Sequence, residues 1–107
     1  MVIIIRRAIM STLNNEEIEK HVNELDGWQR ADAKTIERRF SFNDFLTGIS
    51  FVDKIAKQAE NVQHHPHITI DHTVITIRLS THDQGGITNK DIDSAAAYNR
   101  IFEDTTS

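Results

Sequence analysis

Five of the six histidines in this 107-residue chain, His64, His65, His67, His72 and His82, fall between positions 64 and 82. An imidazole with an unperturbed pKa of about 6.5 both gives and takes a proton near neutral pH. A positioned group of that kind contributes roughly 10²–10⁴-fold in rate. His64 and His65 stand directly before Pro66, the one proline of the chain, and His82 stands between an alternating apolar run and Gly85-Gly86. Ends of elements are where side chains converge on a ligand, so acid–base catalysis is the first use to consider.

Two other uses compete. His64, His65 and His67 could offer nitrogen ligands to zinc, but adjacent histidines reach a single ion awkwardly. No pair stands at i and i+4 on a helix, and no carboxylate has a recognisable ligand spacing. No metal is expected. The remaining use is structural, with imidazoles bonding backbone at loop corners, and this is favoured for His67 and His72. His21 falls on the polar side of a helix and is expected to face solvent. Glu60, four residues before His64, either orients an imidazole or is simply an exposed helix-end acid. Asp91, three residues after Thr88, reads first as a capping-box residue, and any histidine or substrate contact would be additional.

The elements that position these groups follow from spacing. Asn14 with Glu17 predicts a capped helix start, Ile18, Val22 and Leu25 its buried stripe, and Asp26-Gly27 its end. Trp28 to Arg30 and Thr35 to Phe40 predict two strands around the turn 31–34. In the second strand Arg38 shares the face of Ile36 and Phe40. A long helix capped by Asn43 is expected next, with an apolar stripe through Phe42, Phe45, Leu46, Ile49, Val52, Ile55, Ala56, Ala59 and Val62. Gly48 within it costs about 1 kcal/mol against alanine, which implies a close packing neighbour. Pro66 ends the helix just ahead of His64-His65. Ile68 and Ile70, then Val74 to Leu79 with Ile75, Ile77 and Leu79 inward, predict a hairpin turning at His72-Thr73. Thr88 opens a last helix with Ile92, Ala95, Ala96, Asn99 and Phe102 inward. The order helix-strand-strand-helix-strand-strand-helix predicts an α+β domain, a four-stranded antiparallel sheet with three helices on one face.

Composition narrows the setting. The net charge is −4 and the pI about 5.8, which argues against a surface that tracks nucleic-acid phosphates. Without cysteine there is neither disulfide nor thiolate metal site. A domain this small buries only about two-thirds of its unfolded surface, so self-association would add useful buried area. Residues 1–10 contain an apolar run too short to cross a bilayer, with arginines after it instead of before. An edge strand or a leader ahead of Met10 would account for it, and the leader is favoured, leaving residues 11–107 as one domain. A cytoplasmic location and no membrane partner are expected.

The run Ala59-Glu60-Asn61-Val62-Gln63-His64-His65-Pro66, then Ser80-Thr81-His82-Asp83-Gln84-Gly85-Gly86-Ile87-Thr88, then Asp91-Ile92, resembles the signature of the pterin-4a-carbinolamine dehydratases. The spacing fits, with 18 positions from His64 to His82 and nine from His82 to Asp91. Leu25-Asp26-Gly27-Trp28 and Phe40-Ser41-Phe42-Asn43-Asp44-Phe45 extend the resemblance over roughly Met10 to Phe102. It implies dehydration of a 4a-hydroxytetrahydropterin to quinonoid dihydropterin and water, without a cofactor. His64 and His82 would act as general acid and base, with His65 helping to bind the ring. Gln63, Ser80, Thr81 and Asp83 would line the pocket, supported by Glu60, Trp28 and Asp91. It also implies a homo-oligomer, dimer or tetramer, and members in animals also serve as dimerisation cofactors of a transcription factor, so a non-catalytic interaction module is the alternative. His72 stands where the family has an aromatic ring.

Overall fold

In the computed structural model, residues 12–107 are described, and the expected leader at 1–10 lies outside the described residues. The elements are α1 (Asn15–Glu24), β1 (Gln29–Asp32), β2 (Thr35–Ser41), α2 (Phe45–Val62), β3 (His67–Asp71), β4 (Val74–Leu79), a 3-10 turn (His82–Gln84) and α3 (Asn89–Thr106). The strands form one sheet in the order β1-β2-β4-β3, and each adjacent pair is antiparallel.

The register explains which face is buried. Ile36 opposes Leu79, Arg38 opposes Ile77 and Phe40 opposes Ile75. These apolar residues are buried with Ile18 and Val22 of α1, Phe51 and Ile55 of α2, and Ile92, Ala95 and Tyr98 of α3. The alternate residues Glu37, Arg78, Arg39 and Thr76 form the opposite, polar face. This is the expected α+β layering, one sheet face against helices.

Arg38 belongs on the apolar face because its charge is satisfied there. Its guanidinium lies 4.4 Å over the Phe40 ring and 5.0 Å over that of Phe102. It donates to the Asp26 carbonyl at 2.8 Å and to Asn99 Oδ1 at 2.7 Å. Burial pushes the guanidinium below its ordinary pKa, against the charges of Asp26 and Glu103. Gly27 makes room for this: its φ is +82°, and a Cβ there would come within 2.4 Å of Arg38 Nε.

Several local expectations are corrected. The first hairpin turn is only Ala33-Lys34, because Asp32 accepts from the Lys34 amide at 2.8 Å and the strand runs up to it. Asp44, not Asn43, caps α2, accepting from the Thr47 amide at 2.8 Å. The face of α2 that meets the sheet is Gly48, Phe51, Ile55 and Ala59, while Phe45, Leu46 and Val62 stand 44%, 74% and 47% exposed. Gly48 does have a close neighbour, since a Cβ there would lie 3.4 Å from Phe42 and 3.6 Å from Ile75. In α3 the buried face includes Ala97 and Tyr98, while Ala96, Asn99 and Phe102 are half-buried.

Candidate active site

The two adjacent histidines point different ways because Gln63 ends α2 in the left-handed conformation, φ 51°. The His64 amide bonds back to the Ala59 carbonyl at 3.1 Å. The turn carries His64 into the interior and leaves His65 exposed before β3 begins. His64 Nε2 lies 2.7 Å from Asp91 Oδ1, and Asp91 is completely buried. Asp91 Oδ2 accepts from the Thr81 hydroxyl at 2.8 Å and from the Thr88 amide at 3.0 Å. The Thr81 and Thr88 hydroxyls are 2.8 Å apart, and the Lys90 amide donates to Thr88 Oγ1 at 3.2 Å.

These bonds determine where the protons sit. The Thr81 hydroxyl spends its one hydrogen on Asp91, so the Thr88 hydroxyl donates to Thr81 and accepts from Lys90. Asp91 receives two donors on one oxygen, which fits the carboxylate form. The remaining oxygen accepts from His64 Nε2–H, so neutral His64 carries its free lone pair on Nδ1. Asp91 thus fills the capping-box role and the histidine-orienting role together, because its two oxygens face different partners.

Glu60 pairs with His65, not His64: Glu60 Oε2 lies 2.5 Å from His65 Nε2, with both side chains more than half exposed. His82 opens the 3-10 turn after β4. That turn is closed by Gly85 at φ 74° and by paired backbone bonds between Thr81 and Gly86. The His82 side chain is exposed. His64, His65 and His82 line one hollow of about 180 Å³, together with Gln63, Ser80, Thr81 and Asp83. Every residue expected to be catalytic or to contact substrate therefore meets in one place.

Trp28 does not join them. Its indole donates to Asn99 Oδ1 at 2.8 Å, and its ring meets the edge of Phe40 at 6.2 Å, at the end of β1 away from the hairpin turn. The Thr81 hydroxyl, expected at the substrate, is committed to Asp91. Lys90 lines the hollow and was not anticipated; its place beside the capping aspartate at the start of α3 is the signal that could have indicated it. His67, read as structural, lines an adjoining hollow of about 290 Å³ with Asp32, Thr35 and Arg78, and this hollow also touches His65, Ser80 and His82. Cross-strand pairing of His67 with Arg78, the register that a hairpin turning at His72-Thr73 gives, puts them there. His72 takes a left-handed turn position, φ 53°, and stacks on Phe45 at 6.3 Å. Among the described residues, no three His, Asp or Glu side chains converge to hold a metal ion, and no helix is long and apolar enough to cross a membrane.

Beneath the site, Tyr98 is fully buried and its hydroxyl has no hydrogen-bond partner among the described residues. Burial pushes its phenol up to about 12, against the pull of the nearby Ser94 hydroxyl and with the help of the Asp91 charge.

An α+β domain that brings histidines from a helix end and a strand end to one hollow, one of them bonded to a buried carboxylate, has the composition of an acid–base site. The chain belongs to the pterin 4 alpha carbinolamine dehydratase family, whose sequence profile matches residues 11–101. A provisionally named pterin-4-alpha-carbinolamine dehydratase of Gloeobacter violaceus is 44% identical over 91 residues, covering 82% of this chain and 99% of that one. One from Mycobacterium avium is 42% identical over 92 residues, covering 86% and 97%. Among solved structures, a transcriptional coactivator/pterin dehydratase from Brucella melitensis superposes with a TM-score of 0.82 at 35% identity, over 85% of this chain and 98% of that one. A pterin dehydratase-like RuBisCO assembly factor of the alpha-carboxysome shares the fold, with a TM-score of 0.62 at 22% identity over 76% of this chain and 93% of that one.

Proposed function

We propose that the chain dehydrates a 4a-hydroxytetrahydropterin to quinonoid dihydropterin and water by histidine acid–base catalysis. The observation that carries this reading is the buried His64–Asp91 pair facing the same hollow as His65 and His82. Hydroxide is a poor leaving group, so a proton must reach the C4a oxygen as the C–O bond breaks while the N5 lone pair pushes. His82, exposed and able to exchange protons with solvent, supplies that proton. His64 Nδ1 takes the ring proton that must leave, and Asp91 stabilises the resulting imidazolium. His65, held by Glu60, helps bind the ring, with Gln63, Ser80 and Asp83 at its edge. The proton balance closes: one is given to the departing water, one is taken from the ring, and no cofactor is consumed.

The setting of this reading is pterin recycling in the cytoplasm. A homo-oligomer, dimer or tetramer, is part of it. In support, Phe45, Ile49, Val52 and Ala56 recur along α2 at intervals of four, three and four residues, the spacing of a helix–helix seam. Phe45 is 44% exposed and Ala56 is also exposed, although the same helix buries its other face. The same seam favours the second reading, a non-catalytic interaction module on this fold.

The experiment is ultraviolet monitoring of 4a-hydroxytetrahydropterin decay. The dehydratase reading expects acceleration over buffer. A folded sample that gives none, yet captures a protein partner tightly, would favour the module.

A further inference from the structure

We propose that Tyr98 and Ser94 are positioning residues, whose hydroxyls brace the Asp91 carboxylate from the core side and so hold the His64 imidazole in place. The effect on rate rests on the dehydratase reading, while the bracing itself does not.

Asp91, Ser94 and Tyr98 stand at i, i+3 and i+7 along α3, on one face of the helix. They are 0%, 4% and 0% exposed. Among the described residues, His64, Thr81, Thr88, Asp91 and Ser94 are the buried polar and charged side chains. The first four are bonded into one network around Asp91, and Ser94 lies one helical turn from its centre. Ser94 also lines a second hollow, of about 130 Å³ between α2 and α3, with Gln58, Val62, His64, Lys90 and Asp93. His64 lines both this hollow and the first, so the Ser94 hydroxyl and the imidazole share a wall behind the site.

Packing alone does not explain the Tyr98 hydroxyl. A phenylalanine would fill the same core space, and a buried hydroxyl without a direct partner is unfavourable and uncommon in native interiors. That of Tyr98 has no hydrogen-bond partner among the described residues. Burial first holds its phenol up at about 12, the Ser94 hydroxyl pulls it down, and the Asp91 charge pushes it up. These are the two polar groups within its reach, and at neutral pH the phenol offers them a donor. Ser94 can accept from it and donate onward, since a hydroxyl does both. Asp91 has room for one more donor. Its Oδ2 takes the Thr81 hydroxyl and the Thr88 amide, whereas Oδ1 takes His64 alone, and a carboxylate offers about four acceptor sites.

The test removes single oxygens, in Tyr98→Phe and Ser94→Ala, with folding checked by circular dichroism. In each variant kcat for the 4a-hydroxytetrahydropterin is expected to fall about three- to tenfold, the worth of one hydrogen bond. KM is expected to stay within twofold, because neither side chain touches the ring. Nitrogen-15 resonances of the His64 imidazole, recorded without substrate, are expected to move in both variants. In a His64→Ala background, Tyr98→Phe should lower the residual rate no further. A purely structural role would lower the urea midpoint and leave both kcat of the folded protein and the His64 resonances unchanged. That result in either folded variant overturns the proposal, and Ser94→Ala decides it alone if Tyr98→Phe does not fold. Moved resonances in a chain with no turnover overturn dehydration and leave the bracing standing.

Discussion

Replacing Asp91 by asparagine removes one charge while keeping the side-chain shape, and the bonds around it determine the consequence. Asp91 accepts from His64, Thr81 and the Thr88 amide and donates nothing. An asparagine has a single acceptor atom for these three donors. If its carbonyl faces Thr81 and Thr88, its amide faces His64 Nε2 and forces the proton onto Nδ1, closing the lone pair that takes the ring proton. If its carbonyl faces His64, the amide meets the Thr88 N–H head-on and the cap of α3 is lost. Losing a carboxylate that fixes a histidine tautomer costs roughly 10²–10⁴-fold in rate. Breaking buried charge-assisted hydrogen bonds and a cap costs about 2–4 kcal/mol of stability, against a total of about 5–15 kcal/mol for a typical domain. Asp91→Asn should therefore remain folded at 25 °C, with a lower urea midpoint and a kcat/KM for dehydration reduced at least a hundredfold. Because both act through one imidazole, the rate losses of Asp91→Asn and His64→Ala should not multiply in the double variant. A folded Asp91→Asn protein within twofold of the unmodified rate would refute the reasoning.

Three further outcomes follow from the packing. Tyr98 is raised from its ordinary value of 10 to about 12, so its contribution to stability is fully present below pH 10. It is lost between pH 10 and 12, as the unfolded chain ionises its phenol and the folded chain cannot. Urea midpoints measured from pH 8 to 11.5 should show a fall that is smaller in Tyr98→Phe, and identical curves would contradict it. Gly27→Ala puts a Cβ into a left-handed position and against Arg38. It should cost about 1–3 kcal/mol, read from the fluorescence of the nearby Trp28 during urea unfolding. Ile49→Glu, on the α2 seam, should lower the oligomeric mass in analytical ultracentrifugation with the helical circular-dichroism signal retained; an unchanged mass would remove the seam from the interface.

The features readable from sequence are those whose chemistry is local. The capping boxes of Asn14 with Glu17 and Thr88 with Asp91 are each complete within four residues. The strand β4 alternates because one face is buried, and Pro66 stops α2 wherever the rest of the chain goes. The unreadable features depend on what lies across the fold. Helix α2 is apolar over two faces, and periodicity cannot say whether Phe51 and Ile55 or Phe45 and Ile49 meet its own sheet. Arg38 looks misplaced until the rings of Phe40 and Phe102 come beneath it. Glu60 reaches His65 instead of His64 because Gln63 turns left-handed, a rotation no spacing rule supplies. Of the site itself, the participants were legible as a resemblance, while the use of the Thr81 hydroxyl on Asp91 and the presence of Lys90 were not.

The central claim is that His64 and His82 work on opposite sides of one small ring. A crystal structure of the chain with an unreactive 7,8-dihydropterin bound tests it most directly. The account predicts the ring in the hollow between them, with C4a facing both imidazoles and His64 still bonded to Asp91. A ring bound elsewhere on the surface, or held by neither histidine, would contradict it.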